Sequence, residues 1–225
     1  MNALSEFDLD PARTALLVID FQNDFCHADG FFAGAGHDVS TCMAAAERTA
    51  RLVEQVRPYG IPVFYSRSIN PEQPAYKLPP LRFRAPRDSD AFEKSVGGTN
   101  KFDPDSWGAK LVDELSPAPG ETVIDKPRYN MFFRTQLEDE LRSRGVDTVL
   151  ISGATTNCCV ESTARDAFMR GFAVLVLTDC VAAFGNEWDL HEASLKNLSL
   201  FFAVLATADE YVEDLQARAS EPAAV

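Results

Sequence analysis

Six short, apolar, β-rich runs alternate along this chain with segments of helical periodicity, and that alternation restricts the fold more than any other feature. The runs are residues 15–20, 62–65, 121–125, 148–152, 173–177 and 202–206. The first, ALLVID, is nearly continuous in apolar residues, as a strand covered on both faces must be. Helices are expected at 39–57, 135–144, 158–170, 191–198 and 208–217. Ser40 or Thr41 is the expected cap of the first, and Gly145 and Gly171 end the second and third. The expectation is one α/β domain over residues 1–225. Its core is an open, doubly wound parallel sheet of six strands, in the order 3-2-1-4-5-6, with helices on both faces.

Residues 67–120 interrupt the pattern. This long segment is rich in Pro, Gly and charge, and connections of that length in a compact domain are usually lids or binding loops. Its first part carries Arg67, Lys77, Arg82, Arg84, Arg87, Lys94 and Lys101 against Glu72, Asp88, Asp90 and Glu93. Such an excess suits an anionic substrate at a pocket mouth; a solvated loop is the alternative. The whole chain has the opposite balance, 21 basic and 34 acidic side chains for a net charge of −13. That argues against a nucleic-acid partner. No apolar run is long enough to span a membrane, and residues 1–13 lack the features of a secretion signal, so a cytoplasmic setting is expected.

Five cysteines (Cys26, Cys42, Cys158, Cys159 and Cys180), an odd count without a secretion signal, do not read as a disulfide framework. They have no CxxC spacing, and the three histidines are scattered, so no metal site is expected. Three polar residues stand out at or just after the carboxyl ends of expected strands: Asp20, Lys126 and Cys159. Ligands bind at those ends in doubly wound sheets. An acid, a lysine and a thiol in one crevice make a nucleophilic set, although each alone also fits a turn, a surface or a packing role. With Thr156 or Asn157 as cap, Cys159 would lie in the first turn of a helix. There the helix dipole would lower the thiol pKa, and free N–H groups could hold an oxyanion. Cys158 is expected to point elsewhere, into the core.

The segments TALLVIDFQNDF, KPRYNMFFRTQLEDELRSRGVDTVLISGATTNCCVESTARDAF and LVLTDCVAAF resemble the isochorismatase-like cysteine hydrolases. The likeness runs over about residues 14–215 and is weakest in 67–120. Its most specific part is the pattern G-x-x-T-[ND]-x-C-V-x-x-T-x-R-[DE], which spans Gly153 to Asp166. The resemblance implies a triad of Asp20, Lys126 and Cys159. It also implies a cis peptide at Ala154–Thr155 and an oxyanion hole from the Thr155 and Cys159 amides.

Within that family, a cysteine at the nucleophile position favours acyl transfer over vinyl ether cleavage. No histidine follows the second strand, where nicotinamidases carry an Asp-x-His metal motif. The segments KPRYNMFF, LRSRG and CVESTARD are most similar to ureidoacrylate hydrolases. The expected activity is therefore hydrolysis of a small ureido, carbamoyl or amide C–N bond, without metal or cofactor. The alternatives are a vinyl ether hydrolase, a non-catalytic relative, or a redox protein using Cys158 and Cys159. Candidate substrate-binding residues are Gln22, Phe25, Trp107, Tyr129 and Phe132, with a core role open for each aromatic. Glu161 and Arg165 are spaced as a surface pair, and His191 is expected to pack or cap. The family implies a homo-oligomer, a dimer or tetramer.

Overall fold

A computed structural model describes residues 9–69 and 103–220, together with Leu4. Residues 70–102, which hold most of the long insertion and all of its basic residues except Arg67 and Lys110, lie outside the described residues.

Six strands form one sheet: β1 (Thr14–Ile19), β2 (Val63–Ser68), β3 (Thr122–Lys126), β4 (Thr148–Ala154), β5 (Ala173–Ala182) and β6 (Val204–Ala206). Every pairing is parallel and the order is β3-β2-β1-β4-β5-β6, as the alternation of runs implied. The helices are α1 (Asn23–Cys26), α2 (Phe31–Gly34), α3 (Ser40–Val56), α4 (Leu137–Ser143), α5 (Glu161–Met169), α6 (Trp188–Phe201) and α7 (Ala208–Ser220).

Strand β1 shows why the sheet is covered twice. All six of its residues are buried, and successive side chains enter opposite layers. Leu16 and Val18 join Val63, Tyr65, Leu150 and Leu175 in a layer closed by α3 and α7. Ala15, Leu17 and Ile19 join Phe64, Ile124, Val149 and Ile151 in a second layer, closed by α4, α5 and α6. The strand order reverses at β1, so a crevice opens between the carboxyl ends of β1 and β4.

Several boundaries differ from the sequence reading. Strand β2 runs on to Ser68, because Arg67 and Ser68 pair with Asp125 and Lys126 of β3. The Arg67 guanidinium also donates to both Asp125 carboxylate oxygens, at 2.7 and 2.8 Å. Helix α3 has Val39 at its cap position rather than Ser40 or Thr41. Asp38 does the capping work instead, its Oδ1 accepting from the Ser40 N–H at 3.1 Å and from the Ser40 hydroxyl at 2.6 Å. The short helices α1 and α2 follow the first strand without any clear periodicity in the sequence. Helix α6 begins at Trp188 and runs to Phe201, longer at both ends than expected, and β6 is correspondingly shorter.

Candidate active site

Three chain segments converge at the carboxyl end of the sheet. Asp20 leaves β1 with φ of +53°, a left-handed backbone that aspartate tolerates better than most residues. Its neighbour across β4 is Gly153, at φ +140°, which sits opposite Ile19. A Cβ at Gly153 would lie 2.4 Å from the Ile19 carbonyl oxygen, so only glycine lets β1 and β4 meet here. Lys126 is the last residue of β3, one strand beyond β2.

Asp20 and Lys126 form an ion pair with both side chains fully buried, Nζ to Oδ2 2.6 Å. Two serines of β2 complete it. Ser66 donates to Asp20 Oδ1 at 2.7 Å, and Ser68 donates to Oδ2 at 2.9 Å. Lys126 donates to the Ser68 hydroxyl at 2.9 Å and to the Arg128 carbonyl at 3.0 Å. Burial works against the lysine charge, but the Asp20 carboxylate outweighs it and holds the ammonium above its usual range.

The thiol comes from the segment after β4. The Ala154–Thr155 peptide is cis, as the resemblance implied. Thr155 then opens a π-helical turn, Thr156–Val160, and α5 begins only at Glu161. Turns of this kind recur at functional sites. The Thr155 carbonyl accepts from the Cys158 N–H at 3.0 Å and the Val160 N–H at 3.2 Å, passing over the Cys159 amide between them. No side chain caps the turn. The Thr156 hydroxyl, expected as a cap, instead shares a 2.8 Å hydrogen bond with His191 Nδ1.

Cys159 is only 3% exposed. Contact with the Cys158 thiol and burial push the Cys159 thiol well above its usual range, against the pull of Lys126. The lowering expected from a helix start is therefore overturned. A buried thiol beside a carboxylate and a second thiol holds its proton at rest.

The loop after β3 is docked onto α5. Asn130 donates to Asp166 at 2.6 Å, and the Met131 N–H donates to the Thr163 hydroxyl at 3.0 Å. Two polar residues of the sequence pattern thus hold the loop that follows Lys126. Glu161 is more than half of a surface pair. It binds Arg165 at 3.0 Å and also accepts from Ser194 at 2.6 Å, which joins α5 to α6.

The other sequence candidates fall into different surroundings. Gln22 is fully buried, and its amide is engaged with main chain: Nε2 donates to the carbonyls of Ser68 and Ala109, and Oε1 accepts from the Ser68 N–H. Tyr129 packs on the layer that contains Cys159; burial and the two thiols raise its phenol above the usual range. Phe132 is in the same layer, against Phe172. Phe25 lies in the opposite layer, stacked on Phe32 at 4.8 Å. Trp107 is 48% exposed and meets His27 edge-on. Sequence reasoning missed Ser66, Ser68 and the Thr156–His191 bond. The signal for the serines was their spacing of two at the end of a strand, which puts both on the face of Phe64.

Among the described residues, no group of three or more His, Cys, Asp or Glu side chains is placed to hold a metal ion. No helix among them is long and apolar enough to cross a membrane.

The sequence model of one family, the isochorismatase domain, matches residues 14–210. The chain belongs to the isochorismatase family. It is 37% identical over 224 residues to ureidoacrylate amidohydrolase RutB of Methylobacterium radiotolerans, covering 96% of this chain and 84% of that one. N-carbamoylsarcosine amidase from Thermoplasma acidophilum superposes with a TM-score of 0.66 at 26% identity, over 88% of this chain and 97% of that one. A cysteine hydrolase from Pseudomonas syringae pv. phaseolicola shares the fold, with a TM-score of 0.76 at 23% identity, over 94% and 96% of the two chains. As an isochorismatase-family protein the chain is a hydrolase, and its curated relatives group it with amidohydrolases, which act on C–N bonds.

Proposed function

We propose that this hydrolase cleaves a C–N bond of a small ureido or carbamoyl substrate, ureidoacrylate or a close analogue, through a thioester on Cys159. The observation that carries the reading is the buried Asp20–Lys126 pair, 2.6 Å apart, set beside a buried thiol at the crevice. Charges so fully removed from water are costly to keep for stability alone. The name of the 37%-identical relative supports the substrate class.

The chemistry follows from the proton inventory. Cys159 rests as a thiol, so attack and deprotonation are coupled: sulfur bonds to the substrate carbonyl carbon as its proton passes to Asp20. Lys126 supplies fixed positive charge beside both groups. The Cys159 amide, which the Thr155 carbonyl does not take, and the Thr155 amide are the oxyanion donors in this reading. Losing one such donor typically raises the barrier by about 2.7–4 kcal/mol. Protonated Asp20 returns its proton to the leaving nitrogen, the C–N bond breaks, and the thioester remains. Asp20 then deprotonates the water that opens it, and the thiol is restored.

Tyr129, adjoining the thiols, is the aromatic candidate best placed to touch substrate; Gln22 acts by clamping β2 to residue 109. Free thiols suit a reducing, cytoplasmic compartment, and a homo-oligomer needing no metal belongs to the same reading.

The test is ammonia release from ureidoacrylate, biuret, N-carbamoylsarcosine, maleamate and nicotinamide, with the native chain and Cys159→Ala. Carbamate from a ureido substrate decays to ammonia and is counted. Release from one substrate, lost in the variant, supports the proposal. Silence across the panel with isochorismate turned over instead overturns it.

A further inference from the structure

The hydrogen bonds around Asp20 and Lys126 are countable, and the count leaves little freedom. An ammonium has three N–H donors. Those of Lys126 go to Asp20 Oδ2, the Ser68 hydroxyl and the Arg128 carbonyl. Because Ser68 Oγ accepts from Lys126, its own proton is directed at Asp20 Oδ2. Oδ2 therefore receives two donors, from Lys126 and Ser68. Oδ1 receives one, from Ser66. A carboxylate offers about two acceptor positions on each oxygen. Among the described donors, then, the open position is on Oδ1.

Ser68 is itself held in place. Its N–H donates to Gln22 Oε1 at 2.7 Å and its carbonyl accepts from Gln22 Nε2 at 3.1 Å. Gln22 is fully buried and also grips Ala109 at 3.0 Å. The register of β2 and β3 sets Ser68 opposite Lys126. Position and orientation of the hydroxyl are thus both determined.

We propose that Ser68 is a positioning residue for the hydrolysis: it commits Asp20 Oδ2 to Lys126 and leaves Oδ1 as the atom that takes the Cys159 proton. This rests on the thioester reading given above. Lys126, with no N–H to spare, acts in the resting enzyme as a fixed charge and not as a donor to sulfur or substrate. Among the described residues, the titratable groups that face Asp20 are Lys126 from β3, Cys159 from the π-helical turn and Cys26 from α1. Only the first carries positive charge.

The experiment is the pH profile of kcat/KM for Ser68→Ala and Ser68→Thr, using the substrate found active. A donor to the charged form keeps a carboxylate ionised, so its loss moves the acid limb to higher pH, by roughly one unit. In Ser68→Ala, kcat at neutral pH is expected to fall about tenfold with KM changed less than about twofold. Ser68→Thr keeps the hydroxyl and is expected to recover most of kcat and return the limb. If the alanine variant does not fold, Ser68→Cys takes its place, since a thiol is a poor donor, with the same expected shift. An acid limb unmoved in the alanine or cysteine variant overturns the inference. Activity surviving in Cys159→Ala overturns the underlying reading instead, so the two failures are distinct.

Discussion

Thr156 Oγ1 and His191 Nδ1 meet at 2.8 Å in the interior, and this one bond ties the turn carrying Cys159 to helix α6. The Trp188 indole lies against the imidazole, ring centroids 4.0 Å apart and planes 23° from parallel. Burial, only partly offset by Glu192, holds His191 below its ordinary value of 6.5. The folded protein keeps the ring neutral while the unfolded chain takes up the proton. The stability tied to this group is complete above about pH 6.5 and is lost as pH falls below it. His191→Ala is expected to cost about 1–3 kcal/mol at pH 7.5, through the unpaired buried hydroxyl. It should also flatten the decline in stability between about pH 6.5 and 5. Urea denaturation across that range checks both; parallel curves for the two proteins contradict the assignment.

Gly153→Ala tests the close approach of β1 and β4. The added Cβ meets Ile19 at 2.4–2.5 Å, and φ of +140° is strained for any L side chain. Overpacking and backbone strain each cost about 1–3 kcal/mol. The expected result is a loss above about 2 kcal/mol, with activity falling further because Ile19 directly precedes Asp20. Native stability in the variant would remove the proposed need for glycine.

Lys126→Met leaves Asp20 buried without its cation. Breaking a buried pair in this way costs about 3–5 kcal/mol. The sign with pH is informative. Without the ammonium, the folded state favours protonated Asp20, so the deficit is greatest at neutral pH and shrinks as pH falls. In the native chain the raised lysine gives a contribution that is complete below its unfolded value of 10.5 and is lost above it. Unfolding curves at pH 8, 6 and 5 decide; a deficit that grows on acidification is the contrary outcome.

Cys158→Ser separates hydrolysis from vicinal-thiol redox chemistry. Cys158 is partly exposed, and its contact with Cys159 is among the effects that raise the buried thiol. Hydrolysis is expected to survive the substitution within about fivefold, since serine keeps the volume and the nucleophile is untouched. Complete loss of activity, with Cys159 still present, would count for the redox alternative.

The sheet order and the three polar residues at its rim were legible because each depends on a local pattern. ALLVID is apolar on both faces, and Asp20, Lys126 and Cys159 follow strand-like runs. What was not legible depends on partners distant in sequence. Ser-Arg-Ser has weak strand propensity, so Ser66 and Ser68 read as loop until β3 pairs with them. Thr156 reads as a cap because nothing in its neighbourhood announces His191, thirty-five positions later. Gln22 reads as a candidate substrate-binding residue, yet its amide is engaged with Ser68 and Ala109. The thiol follows the same rule: a helix start suggests a lowered pKa, and the Cys158 contact and the burial that reverse it are properties of the folded turn and the assembled layers.

The most direct test of the central claim is peptide mass spectrometry of enzyme quenched in acid during turnover of its active substrate. The account expects an acyl adduct on the peptide bearing Cys158 and Cys159. Fragmentation should place it on Cys159, and it should persist in Cys158→Ser and vanish in Cys159→Ala together with turnover. Turnover that continues in Cys159→Ala, or an adduct carried by any other residue, would contradict it.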